Sequence, residues 1–172
     1  MTNEHLNVGF THESTHNQTT EWYTPKTFFD RLRVRFDLDP CSPGKEKVPW
    51  IPARKHYRIK DDGLLQPWLG RVWLNPPYGS QTARWLKKLS RHGNGIALVF
   101  ARTDTQWFHR YATKASLICF LEGRVRFIKS DGTKGGTPGC GSMLLAYGDK
   151  CAEVVSKSGL GWFIDNRKLK VI

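Results

Sequence analysis

Asn75, Pro76, Pro77 and Tyr78 are the residues in this sequence whose types and spacing can do chemistry. Two consecutive prolines fix their own φ angles and carry no N–H, so the Pro76 carbonyl has no regular ladder partner. Asn75 precedes a proline and is held extended. The corner therefore presents an amide side chain, a free carbonyl and an aromatic ring together. The Asn75 side-chain oxygen and the Pro76 carbonyl can each accept one hydrogen of a planar NH2 group, while Tyr78 stacks on the ring that carries it. Holding both hydrogens draws the nitrogen lone pair out of conjugation and makes it nucleophilic. The ligand must bring the NH2, which leaves adenine, cytosine, guanine and glutamine.

Such a corner needs rigid neighbours. Arg71-Val72-Trp73-Leu74 reads as the end of a buried strand that feeds it. Downstream, Ala83 to His92 has amphipathic helical spacing, with Trp85, Leu86 and Leu89 opposite Arg84, Lys87, Lys88 and Arg91. His92-Gly93-Asn94-Gly95 stops that helix, and Gly95 to Phe100 is a fully buried strand. Strand, helix, strand in this order implies a right-handed crossover and a parallel sheet. Ala101-Arg102-Thr103-Asp104-Thr105 leaves the strand at its carboxyl end, Trp107 to Tyr111 starts another helix, and Leu117 to Leu121 is a further strand. Gly123 to Ile128 alternates and is expected to pair with Ser142 to Tyr147 as an antiparallel hairpin, the Gly-rich residues 129–141 forming its loop. That loop lacks the Lys-Ser/Thr signature and following helix of a phosphate-binding P-loop.

Upstream, Thr24 is placed to cap a helix whose first residue is Pro25 and which runs through Phe28, Phe29 and Leu32 to about Arg33. Phe36-Asp37-Leu38-Asp39-Pro40-Cys41-Ser42 reads as a strand ending in a loop. In a doubly wound sheet ligands bind just beyond the carboxyl ends of strands. An acidic side chain there can hold a cationic amino group or a ribose hydroxyl, and Asp39 stands nearer that end than Asp37. Asp62 sits in the Asp61-Asp62-Gly63 turn, and Trp68 after it walls the same pocket or packs in the core. Residues 43–60 are basic and irregular, with Lys45, Lys47, Arg54 and Lys55 among Trp50 and Tyr57. They form either a solvated loop or a strip that touches phosphates and stacks on bases.

Composition narrows the partner. The chain has 172 residues, long enough for one domain with a real core. A net charge of +12 with seven Trp, five Tyr and nine Phe points to a polyanion, of which nucleic acid is the simplest. Cys41, Cys119, Cys140 and Cys151 show neither a C-x-x-C pair nor zinc spacing, so they read as free thiols in a reducing cytosol. No basic-then-apolar leader is present and the apolar runs are short, so a cytoplasmic location without membrane span is expected. Residues 1–20 read as a flexible polar arm whose histidines (His5, His12, His16) are irregularly spaced. The basic tail after Asp149 carries no recognisable pattern.

The Asn-Pro-Pro-Tyr corner resembles the catalytic motif of S-adenosylmethionine-dependent amino-methyltransferases that act on adenine N6, and of relatives acting on other planar nitrogens. The Thr-Pro helix start, Asp-Pro-Cys-Ser, Asp-Asp-Gly-Leu, Ala-Arg-Thr-Asp-Thr and Gly-Arg-Val-x-Phe occur around it in compatible order over residues 21–148. Together they resemble a phage-type branch of DNA adenine methyltransferases, in which Asp-Pro-Cys-Ser stands where methyltransferases usually carry Gly-x-Gly. The resemblance implies a Rossmann-like class I fold: a mostly parallel twisted α/β sheet, helices on both faces and an antiparallel edge hairpin, with residues 21–172 as a single catalytic domain. It implies a catalytic set of Asn75, Pro76, Pro77 and Tyr78. S-adenosylmethionine is expected against Trp22, Thr24, Pro25, Asp39, Pro40, Cys41, Asp62 and Asn75. A flipped base from double-stranded DNA is expected against Tyr78 and Phe127, with Lys45, Lys47, Arg54 and Lys55 on the substrate and no metal needed. An RNA substrate, a protein glutamine, or a catalytically inactive DNA-binding fold remain compatible with the same four residues.

Overall fold

Alternating side chains sort the apolar residues into two cores, one on each face of a sheet. The computed structural model describes residues 22–169, so the expected polar arm at 1–20 lies outside them. In chain order the elements are β1 (Trp22–Tyr23), α1 (Lys26–Leu32), β2 (Phe36–Asp39), β3 (Ala53–His56), β4 (Val72–Leu74), α2 (Thr82–His92) and β5 (Gly95–Phe100). They continue with α3 (Gln106–Arg110), β6 (Leu117–Leu121), β7 (Ile128–Lys129), β8 (Ser142–Tyr147), α4 (Asp149–Ser156) and β9 (Gly161–Asp165). Seven strands form one sheet in the order β3-β2-β4-β5-β8-β6-β9. The first four run parallel, while β8 is antiparallel to both β5 and β6, and β9 is antiparallel to β6. β1 and β7 make a separate two-stranded antiparallel ribbon.

One core gathers Phe36, Trp73, Ile96, Leu98, Leu117 and Leu144 with Phe29 and Leu32 of α1 and Ala152 and Val155 of α4. The other gathers Leu38, Val72, Leu74, Ala97, Val99 and Leu145 with Trp85, Leu86 and Leu89 of α2 and Ala112. Helices therefore cover both faces, and each fully buried aliphatic side chain contributes roughly 1.5–3 kcal/mol. Within β4, Trp73 faces the first core while Val72 and Leu74 face the second, all three fully buried. The period of two sets that division.

The ends of α2 follow from sequence. Gly93 closes it at φ 72°, and its N–H reaches the Leu89 carbonyl. At α1 the expected start shifts by one residue. Pro25, at ψ 145°, occupies the N-cap, and Thr24 makes no cap bond. The Thr24 carbonyl instead accepts from Trp50 Nε1 at 2.8 Å, and its side chain is buried.

Two expectations are corrected. The pairing of residues 123–128 with 142–147 does not occur: β8 lies between β5 and β6, buried along its whole length. A strand apolar on both faces belongs in the middle of a sheet, not in an edge hairpin. Residues 124–127 have no ladder. Val125 and Phe127 turn inward for side-chain packing, and Ile128–Lys129 pairs with β1. The basic segment 43–60 is also not wholly irregular. It contains β3, an edge strand whose Arg54 and Lys55 keep the edge charged. The tail without a recognisable pattern supplies α4 and β9.

Candidate active site

From β2 the chain goes outward to β3 and then returns to β4 on the opposite side of β2, a reversal of strand order. Beyond the carboxyl ends of β2 and β4, where such a reversal opens a crevice, lies a cavity of about 440 Å³. Trp22, Thr24, Asp39, Pro40, Cys41, Asp62 and the whole Asn75–Tyr78 corner line it. Residues from four separated stretches of sequence thus meet in one place.

The corner is ordered by its own side chains. Asn75 Nδ2 donates to the Trp22 carbonyl at 2.7 Å, and Tyr78 Oη donates to Asn75 Oδ1 at 3.1 Å. The Pro77 carbonyl accepts from Thr82 Oγ1 at 3.1 Å, tying the corner to the first turn of α2. The Pro76 carbonyl accepts no hydrogen bond among the described residues. Tyr78 stacks on Phe100 with ring centroids 4.1 Å apart and meets Phe127 edge-on at 5.9 Å. Burial pushes the Tyr78 hydroxyl well up, with Cys140 adding to the effect, so it stays a donor throughout the working range.

On the β2 side Asp39 is 2% exposed. Burial lifts its carboxyl from the ordinary 3.8 to about 7, against the opposing hydrogen bond from the Cys41 N–H. His56 Nδ1 stands 3.9 Å from Asp39 Oδ2, but burial pulls the imidazole down from its ordinary value, so no ion pair forms at neutral pH. The neutral ring donates from Nε2 to the Ala53 carbonyl and accepts at Nδ1 from Ser42 Oγ. Burial, with the Asp39 charge adding to it, likewise pushes the Cys41 thiol well up. Asp62, at φ 46°, follows a single 3-10 turn and accepts from the Leu64 N–H. The adjoining Gly63 packs against Pro40 so closely that a Cβ there would collide with the Pro40 carbonyl.

The remaining expected residues stand elsewhere. Pro25 is not on the cavity wall. Phe127, 3% exposed, lies behind Tyr78 as a buttress rather than forming a second wall. Lys45, Lys47, Arg54 and Lys55 are exposed and none lines the cavity. Arg54 stands 3.9 Å from Asp37, and Lys55 lies over the Tyr57 ring. Asp37 also accepts from the Arg71 N–H, away from the cavity. Sequence reasoning missed Trp73, Arg58, Ile59 and Trp85, which line the cavity as well. A buried tryptophan leading into a polar corner was the one signal that pointed to Trp73. Lys88, expected on the wet face of α2, instead donates to the Gly63, Leu64 and Gln66 carbonyls and holds the loop after Asp62.

The family model for DNA N-6-adenine-methyltransferase (Dam) matches residues 12–155. The chain belongs to the Dam family. No curated protein and no solved structure matches it. As a Dam-family enzyme it methylates adenine N6 in DNA with S-adenosylmethionine as methyl donor. The cavity of the Dam-family chain fits that donor. Thr24 Oγ1 and Trp73 Nε1 are buried at its wall with no hydrogen-bond partner among the described residues, and Asp39 is a buried carboxyl with no cation beside it. Orphaned polar atoms and an uncompensated acid suit a ligand carrying an ammonium group, a carboxylate and hydroxyls. Among the described residues of this Dam-family enzyme no group of three or more His, Cys, Asp or Glu is placed to hold a metal, and no helix is long and apolar enough to cross a membrane.

Proposed function

We propose that this enzyme works on an adenine flipped out of duplex DNA, with Asn75 and Pro76 as the two acceptors for the N6 hydrogens. The observation that carries the reading is the state of the corner: the Asn75 amide oxygen takes only the Tyr78 hydroxyl, the Pro76 carbonyl takes no hydrogen bond among the described residues, and both residues line the cavity. An amide oxygen has two lone pairs. Tyr78 Oη uses one, and the other accepts from N6. The Pro76 carbonyl accepts the second N6 hydrogen, which localises the lone pair on nitrogen. As positive charge grows there, both oxygens stabilise it, and preorganised groups of this kind contribute about 2.7–4 kcal/mol each. Bound S-adenosylmethionine supplies the electrophilic methyl group.

Flipping costs on the order of a few kcal/mol, and stacking of the base on Tyr78 returns roughly 1–3 kcal/mol. Phe100 already covers one face of that ring, so the base takes the other. On the cofactor side, Asp39 pairs with the ammonium of the methionine moiety, Thr24 and Trp73 serve its polar oxygens, and Asp62 serves the adenosine end. Duplex phosphates fall to the basic strip of Lys45, Lys47, Arg54 and Lys55. Arg124 and Arg126 are further exposed cations, flanking the buried Val125 and Phe127 and in no ion pair among the described residues. The parallel half with its antiparallel partner half supports a Rossmann-like class I fold, with residues 21–172 as one catalytic domain working in the cytoplasm.

Product identification tests the reading. The enzyme is incubated with labelled S-adenosylmethionine and, separately, duplex DNA, single-stranded DNA, RNA and a protein extract. The expectation is N6-methyladenine from duplex DNA, with faster transfer when a mismatch opposite the target lowers the flipping cost. A rate insensitive to pairing refutes the flipping step.

A further inference from the structure

The side-chain amide of Asn75 is useful only one way round. Its oxygen and nitrogen have almost the same shape, and a half-turn would aim two N–H donors at the N6 hydrogens instead of an acceptor. The corner itself cannot prevent that turn, because Tyr78 Oη can donate to an oxygen or accept from a nitrogen. Among the described residues, the group bonded to the amide that discriminates is the Trp22 backbone carbonyl, which accepts and cannot donate. It takes Nδ2 at 2.7 Å across a gap of more than fifty residues.

Trp22 is not held by the main sheet. It belongs to the β1–β7 ribbon, where Trp22 pairs with Lys129 and Tyr23 with Ile128. The chain after β7 turns back on itself. The Lys129 N–H donates to the Thr133 carbonyl and the Gly135 N–H to the Phe127 carbonyl, at 2.8 and 2.7 Å. This return places Gly135, itself buried, flat against the Trp22 indole. A Cβ at Gly135 would stand 2.6 Å from Trp22 Cζ3 and 3.0 Å from the Phe127 carbonyl oxygen. Its φ is not in the left-handed region, so the demand for glycine comes from the indole, not from backbone strain.

We infer that the β1–β7 ribbon, closed by Gly135 on Trp22, is a brace that fixes the orientation of the Asn75 amide, and that the Trp22 carbonyl and Gly135 are positioning residues for methyl transfer. The inference rests on the proposed role of Asn75 as an N6 acceptor. It also gives the Gly-rich stretch after β7 a task that a plain hairpin loop does not have: its glycine lets the chain come close enough to support the ring.

Nuclear magnetic resonance tests the contact without a substitution. With ¹⁵N in the asparagine side chains and ¹³C in the tryptophan carbonyls, a through-bond coupling between Asn75 Nδ2 and the Trp22 carbonyl is expected, and its absence overturns the brace. Gly135→Ala then tests the consequence. Displacing the acceptor by about an ångström should lower kcat about a hundredfold. The KM for DNA should stay within about threefold, the pattern of a lost transition-state contact. The discriminating readout is the cycle with Asn75→Asp. A carboxylate has two equivalent oxygens and no N–H for Trp22, so a half-turn changes nothing. In that background Gly135→Ala should cost less than about threefold, and losses that multiply in full overturn the positioning role. If Asn75→Ala turns over normally, the acceptor reading fails instead. If Asn75→Ala is inactive while Gly135→Ala is unimpaired, the acceptor stands and the brace falls.

Discussion

Asp39→Asn should make the ligand-free enzyme more stable at pH 8 while abolishing its hold on the cofactor. The carboxyl is 2% exposed, and burial lifts it from 3.8 to about 7. With 1.36 kcal/mol for each pKa unit, that lift corresponds to about 4 kcal/mol. A carboxylate whose folded value lies above its unfolded value binds protons more tightly in the folded state. Stability is therefore lost as pH rises from about 4 to about 7, and the full penalty stands above that. Asparagine has the same shape and no charge to desolvate. At pH 8 it should recover most of the 4 kcal/mol, a rise in Tm of up to about 10 °C for a chain of this size. At pH 4.5 only about 1 kcal/mol of the penalty remains, because the unfolded carboxyl is still largely ionised there, so the two proteins should melt within about 2–4 °C of each other. The cofactor's ammonium does the converse: it stabilises the ionised form, so affinity for S-adenosylmethionine should strengthen by up to about tenfold per pH unit on approaching pH 7 and then level off. Thermal melts with and without S-adenosylmethionine at both pH values give all four quantities. An Asn variant no more stable than the parent at pH 8, or equally stabilised at both, refutes the argument.

Asn75→Ala should abolish turnover with the far-ultraviolet circular dichroism unchanged, since half-buried Asn75 supports no core packing, whereas Asn75→Asp should retain part of the rate because a carboxylate still accepts from N6. Binding to non-specific duplex should weaken with salt by about 0.9 log units per phosphate contact per log unit of salt, and neutralising Lys45, Lys47, Arg54 and Lys55 together should flatten that slope. An unchanged slope would place the phosphate contacts on other cations, Arg124 and Arg126 first. Lys88→Met should lower stability by about 2 kcal/mol in urea at constant m-value, because the Leu64 and Gln66 carbonyls lose their donor while Gly63 keeps Trp68 Nε1.

How much of this was legible in the sequence depended on whether local pattern or distant packing made the choice. The corner was legible because two prolines and an asparagine restrict their own backbones. So was β5, whose apolar run leaves nothing to face water, and so was α2, bounded by its glycine. Asp39 could be preferred to Asp37 from the end of a strand alone, and the cavity holds Asp39 while Asp37 turns to Arg71. The partner of β8 was misread, although six consecutive buried residues are the mark of a central strand. The alternation at 123–128 suggested a ladder, but it reflects Val125 and Phe127 entering the core, Phe127 against Tyr78 and Phe100. Thr24 carries the best local cap signal in its neighbourhood, yet its side chain is at the cavity wall. β9 was hidden because Trp162 and Phe163 face outward, against the usual period. Lys88 could not have been assigned at all, since its three partners come from a loop that no local rule places beside α2.

The position of β8 governs the order in which the molecule can be completed. Its six residues pair in full register with β5 on one side and four of them with β6 on the other, yet both neighbours, ending at Phe100 and Leu121, precede it in the chain. A chain emerging from the ribosome must therefore carry two finished apolar strands with no common neighbour until residue 147 is free to enter between them. Non-local insertion of this kind is slow. While it is pending, the edges of β5 and β6 stand open as templates for a neighbouring chain. β8 joins the two halves of the sheet, and losses to aggregation during synthesis should concentrate at its insertion.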